Sequence, residues 1–105
     1  MPRKSENPSD NVLVDLGFPD AEELSAKTSL AMKINDILDR RRLSQVETAK
    51  LLGMTQPKVS ALRNYKLRGI SLERLMQALI ALDQSVEIVV RPKGRKARAG
   101  IKVAA

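Results

Sequence analysis

The side chains best equipped for chemistry fall between Gln45 and Lys66. Gln45, Thr55, Gln56, Lys58, Ser60, Arg63, Asn64 and Lys66 offer amide, hydroxyl, ammonium and guanidinium donors, with the small apolar Pro57 and Ala61 set among them. Glu47 is the only acid between positions 40 and 69, against eight basic residues. Donors without accompanying acids suit the grip of a polyanion, because each neutralised phosphate releases condensed counterions. They do not suit proton transfer. The chain has no His and no Cys, which removes the usual general base at neutral pH and the usual thiolate and imidazole metal ligands. We therefore expect no catalytic site, no metal and no cofactor.

The rest of the charge is placed unevenly. Residues 1–39 carry four basic and eight acidic side chains, and residues 70–105 carry seven basic and three acidic. The net charge of +7 is thus concentrated around the donor-rich stretch. The N-terminal stretch has no apolar signal-like run, and nothing approaches the ~20 apolar residues that span a bilayer. A cytoplasmic protein acting away from the membrane is expected.

At 105 residues the chain holds one domain's worth of core, and 43% hydrophobic residues with only 2% aromatic point to packed helices rather than a sandwich. Residues 1–10 are polar, charged and rich in Pro, so they are expected to be disordered, ahead of a single domain over residues 11–92. Residues 11–18 form a short apolar cluster closed by Gly17 and Phe18 before Pro19. Asp20 with Glu23 fits a capping box, predicting a long helix over residues 21–41 with a break near Thr28 and Ser29, and with Arg40, Arg41 and Arg42 complementing its negative end. Ser44 and Glu47 form a second capping box, so a second helix spans residues 45–52 and ends at Gly53. Thr55 caps a third, in which Pro57 is tolerated in the first turn and which runs to about Asn64. Ser71 opens a fourth whose Leu72, Leu75, Met76, Leu79 and Leu82 make one apolar stripe.

Residues 85–91 change period. Val86, Ile88 and Val90 alternate to one face, as in a strand, yet no second strand is evident in the sequence. A lone strand leaves its hydrogen-bonding edges open, and a second copy of the chain is the simplest supply of a partner, so a homodimer joined through Val86, Ile88 and Val90 is expected. Residues 93–105 are basic and rich in small side chains, and are expected to be a disordered tail.

Two short helices that cross closely need a small residue in the first, a turn former between them and inward apolar residues on the second. Ala49, Gly53, Val59 and Leu62 fall four, eight, fourteen and seventeen residues after Gln45 and meet those demands. In this pattern the chain resembles the lambda-repressor-like (Cro/repressor, XRE-type) DNA-binding domains, over about residues 30–82. The resemblance implies a mainly α fold, a helix-turn-helix domain of four to five helices with one C-terminal β-strand used for dimer pairing. It also implies that Thr55 and Gln56 open a recognition helix, with Gln56 able to bond an adenine edge or phosphate. Gln45 would meet phosphate through its amide and the helix N-terminus. Ser60 lies on the same outward side, and Lys58, Arg63, Asn64 and Lys66 would lie near the DNA backbone. Pro57 and Ala61 stand where many such domains place polar residues, so methyl contacts and DNA shape would contribute to recognition.

The segments NVLVDLGFPDAEEL, QPKVSALRNYKLRGISLERLMQALIAL and VEIVVRP are further similar to the XRE-type antitoxins of HigA-like toxin–antitoxin modules. That resemblance implies a repressor that binds a palindromic operator on double-stranded DNA as a homodimer. It also implies a second partner, a small basic ribonuclease toxin of the RelE/HigB-like kind. Asp15, Asp20, Glu22 and Glu23 beside Val12, Leu13, Leu16 and Phe18 offer an acidic, apolar surface for such a toxin, or else simply cap and cover the core. A stand-alone XRE-type regulator with no toxin is the alternative.

Overall fold

The computed structural model of the chain describes residues 19–95 and 100–104. Four helices follow one another: α1 (Pro19–Arg41), α2 (Gln45–Leu52), α3 (Gln56–Arg63) and α4 (Leu72–Ala81). α1 starts at Pro19, ahead of the expected Asp20 cap, so Asp20 lies inside the first turn. A proline there sacrifices no intrahelical hydrogen bond, because the first N–H groups of a helix have no acceptor. The expected break near Thr28 and Ser29 is not there. The Thr28 hydroxyl donates to the Leu24 carbonyl at 3.0 Å, and the helix continues because Ala26, Leu30, Ala31 and Ile34 on its inner face are buried. Packing outweighs the weak helix propensity of two residues.

The short helices owe their limits to local chemistry. Ser44 accepts from the Glu47 N–H while the Glu47 carboxylate accepts from the Ser44 N–H, at 3.1 and 2.9 Å, completing the box that opens α2. Gly53 closes it at φ 65° and donates its N–H to the Ala49 carbonyl. Thr55 caps α3 by accepting from the Lys58 N–H at 3.3 Å, and Ser71 caps α4 by accepting from the Arg74 N–H at 3.0 Å. The other helix ends turn without glycine: Arg42, Tyr65 and Asp83 take φ of 55°, 60° and 67°. Arg and Tyr give no sign of a left-handed turn, whereas Asp is a type that visits it more readily.

The core is one cluster at the centre of the four helices. Ile34 and Leu38 of α1, Leu52 of α2, Val59 and Leu62 of α3, Leu75 and Leu79 of α4 and Leu82 at its C-terminal cap meet in it, joined by Leu67 and Ile70 from the connection between α3 and α4. α1 packs mainly against α4, and α2 against α3. Among the described residues no strand is present, so the strand expected at residues 85–91 is not formed in the single chain. The physical reason is that a strand is defined by a hydrogen-bonded neighbour, and none of the described residues pairs with this segment. The apolar cluster expected over residues 11–18 and the disorder expected over residues 1–10 fall outside the described residues. Val86 and Val103 both pack against the core from outside, placing part of the chain beyond Pro92 on the helical body.

Candidate nucleic-acid interface

The exposed edge of the molecule is built from two helix N-termini. Gln45 begins α2 and is exposed, and Thr55, Gln56, Pro57 and Lys58 at the start of α3 are exposed as well. No acid occurs in the first turn of α3, so the partial positive charge of its N-terminus faces solvent without a competing carboxylate. Inward-facing Val59 and Leu62 are fully buried. These two anchors fix the rotation of α3 about its axis and hence which side chains point out.

Of the remaining residues assigned to this surface, Asn64 and Lys66 are exposed, whereas Ser60, Ala61 and Arg63 are half-buried. Arg63 is committed to the protein. Its guanidinium donates to the side-chain oxygen of Asn35 at 2.9 Å and to the Asn35 carbonyl at 3.2 Å, and it forms an ion pair with Asp39. Asn64 turns its amide back onto the Ser60 carbonyl at 2.8 Å. Lys58 sends its ammonium to the Gly69 carbonyl at 2.6 Å while remaining exposed. The surface is therefore brought together around Gln45, Thr55, Gln56, Pro57, Lys58 and Lys66, with Arg63 behind it as a structural tie.

Several positioning residues were not visible in the sequence. Asn35, buried in α1, donates its amide to the Leu62 carbonyl at 3.1 Å, and with Arg63 it fastens the end of α3 to α1. Lys27 is buried too, its ammonium donating to the Leu67 carbonyl at 3.2 Å with Glu23 at 3.6 Å. Burying an ammonium is tolerated only with such partners. Arg74 of α4 reaches the helix-turn-helix turn, donating to the Leu52 carbonyl at 3.2 Å and the Gly53 carbonyl at 2.5 Å. Lys58 and Arg74 thus brace a shallow cleft of about 400 Å³ lined by Gly53, Thr55, Gly69 and Ser71. No periodicity marks Asn35, Lys27 and Arg74, because the carbonyls they bond lie 21 to 40 positions away.

The arginines at the end of α1 are similarly employed. Arg40 pairs with Asp36 at 2.6 Å, and Arg41 donates to the Leu82 carbonyl at 2.7 Å with Asp83 at 3.8 Å. Arg41 thus ties the end of α1 to the end of α4, whereas the Arg40 pair is an exposed contact within α1 that contributes little. The one acid near the interface, Glu47, has its carboxyl held below the usual range, first by the hydrogen bond from the Ser44 backbone and then by that from its side chain. It stays ionised as a cap. Among the described residues no group of His, Cys, Asp or Glu is arranged to hold a metal, and no helix is long and apolar enough to cross a membrane.

Two short helices crossing at a glycine turn, braced by a long first helix and presenting an acid-free N-terminal edge, define a helix-turn-helix domain. A family model described as a helix-turn-helix domain matches residues 12–91. A solved structure whose name places it among the XRE-family transcriptional regulators superimposes with a TM-score of 0.76 at 60% sequence identity, covering 83% of this chain and 99% of that one. The chain belongs to the XRE-type helix-turn-helix family of transcriptional regulators. No curated protein shows significant similarity to it.

Proposed function

We propose that the chain is a homodimeric, sequence-specific DNA-binding repressor whose α3 enters the major groove, and that it acts as an antitoxin repressing its own operon. The observation that carries the DNA reading is the acid-free edge at the start of α3, with Gln56 and Lys58 exposed beside the exposed Gln45 of α2. Gln56 serves as the base-reading side chain, and Gln45, Lys58 and Lys66 hold phosphates. Arg63 acts indirectly, by fixing α3 against α1. With Pro57 and Ala61 on the same side, one copy grips more than it spells, so specificity requires two copies at a fixed half-site spacing.

The dimer is proposed to form through residues 85–91, whose Ile88 and Val90 are 72% and 90% exposed. The antitoxin role rests on the sequence similarity of the three segments named above, which lie before, within and after the helix-turn-helix domain. A binding-site selection with purified protein, followed by titration of Gln45→Ala and Gln56→Ala on the selected DNA, tests the DNA reading. We expect weaker binding with an unchanged helical circular dichroism spectrum. Wild-type affinity in both variants would reject α3 as the reader. A neighbouring gene encoding a small basic protein that co-purifies with this chain is the expected finding for the antitoxin role. Its absence leaves a stand-alone regulator.

A further inference from the structure

The last described segment, residues 100–104, lies against the same groove as residues 85–91. α1 and α4 form the floor of that groove through Leu30, Ile37 and Met76, its walls come from the two segments, and it encloses about 830 Å³. Gly100 approaches α1 so closely that a Cβ there would sit 2.7 Å from the Glu22 carboxylate. Val103 packs against the core while Ile101 between it and Gly100 is 49% exposed. The order Ile101, Lys102, Val103 repeats the apolar–polar alternation of Val86, Glu87, Ile88. That period of two belongs to strands.

Among the described residues, the last backbone–backbone hydrogen bond in the chain is from the Gln84 N–H to the Leu79 carbonyl at 2.9 Å. Residues 85–91 and 101–104 therefore line a largely apolar groove without a backbone hydrogen-bond partner among the described residues, and such backbone beside apolar surface calls for a strand partner. Exposed aliphatic side chains gathered on one groove mark an interaction surface. A second copy meets both demands through two-fold symmetry. An antiparallel pair centred on Ile88 sets Val86 of one chain opposite Val90 of the other, keeping both on the same face. The outer edges then remain to be covered, and each chain carries its own cover in residues 101–104, with Lys102 opposite in charge to Glu87.

We propose that residues 101–104 supply a second strand from each chain, so that two copies join through a four-stranded sheet laid over α1 and α4 rather than through residues 85–91 alone. This rests on the dimer reading above and adds the C-terminal segment to it.

The chain has no cysteine, so Lys102→Cys takes a single nitroxide label at an exposed position without touching the apolar side chains. Labelled chain of natural isotopic abundance is mixed with unlabelled ¹⁵N chain, and the proposal expects line broadening of the amides of residues 86–90 across chains. Broadening confined to the labelled chain's own residues 12–18, seen in a uniformly labelled sample, would give the groove to its N-terminal segment and overturn the proposal. In parallel, Ile101→Asp with Val103→Asp is expected to raise the dimer dissociation constant at least about tenfold, a change readily resolved by sedimentation. If Ile88→Pro gives a monomer while the double aspartate variant dimerises like wild type, the C-terminal strand is rejected and the dimer stands. A wild-type chain that sediments as a monomer rejects both.

Discussion

Asn35→Ala should release the recognition helix from α1, and the size of the effect follows from what the side chain touches. Asn35 is 5% exposed. Its amide donates to the Leu62 carbonyl at 3.1 Å and its oxygen accepts from Arg63 at 2.9 Å. The first is a neutral hydrogen bond worth about 0.5–1.5 kcal/mol, and the second is charge-assisted and worth about 1.5–3 kcal/mol. Neither partner is orphaned by the change: the Leu62 carbonyl keeps the Tyr65 N–H at 3.2 Å, and Arg63 keeps the Asn35 carbonyl and Asp39. Both contributions therefore fall toward their lower limits, and the total is about 2–3 kcal/mol. In a domain of this size that lowers Tm by roughly 10–20 °C. Thermal and urea unfolding followed by circular dichroism, at one fixed protein concentration, measures it. Arg63→Met should cost less than the sum of its contacts suggests, because Asp39 is exposed and surface ion pairs contribute little. The double variant should be less destabilised than the two singles added together, with a coupling of about 1 kcal/mol or more. A loss below about 0.5 kcal/mol for Asn35→Ala, or strict additivity with Arg63→Met, would refute the view that this pair fixes α3.

Two further outcomes are expected from the turns and caps. The Glu47 carboxyl is held low in the folded chain, so its capping contribution is fully present above the unfolded carboxylate pKa and fades as pH falls through the depressed folded value. An NMR titration should place its midpoint below that of a Glu in an unstructured peptide, and in Glu47→Gln this acid-side loss should vanish; an ordinary midpoint would contradict the capping box. Gly53→Ala should destabilise by about 1–2 kcal/mol through the left-handed backbone alone, since the nearest atom to the added Cβ is 3.8 Å away. Tyr65→Gly, at φ 60°, should shift stability in the opposite direction or leave it unchanged. Urea midpoints for the pair check this, and an equal loss in both would show that side-chain packing, not backbone conformation, governs these turns.

Much of the reading edge was legible in the sequence because its rules are local. Ser44 with Glu47, Gly53, Thr55 and Ser71 set the limits of the short helices through hydrogen bonds spanning three or four residues. The boundary of α1 and its expected break at Thr28 were less legible, since tertiary burial of one helix face outweighs what two residues prefer. The duty of Arg63 was hidden as well. A basic residue in a basic stretch resembles a phosphate contact until Asn35 and Asp39, 28 and 24 positions earlier, are found beside it.

By itself, then, the sequence determined the helical pattern, the buried faces of α3 and α4, the acid-free edge beginning at Thr55 and Gln56, and the alternation of residues 85–91. Each depends on periodicity, capping or composition, which are properties of neighbouring residues. Only the tertiary structure decided that Arg63 and Arg41 are tied within the protein, that Lys27 and Asn35 are buried polar anchors, and that Val103 returns to the same apolar face as Val86. Those outcomes depend on which distant segments meet, and a charged or polar side chain takes its role from the carbonyl or carboxylate it finds there.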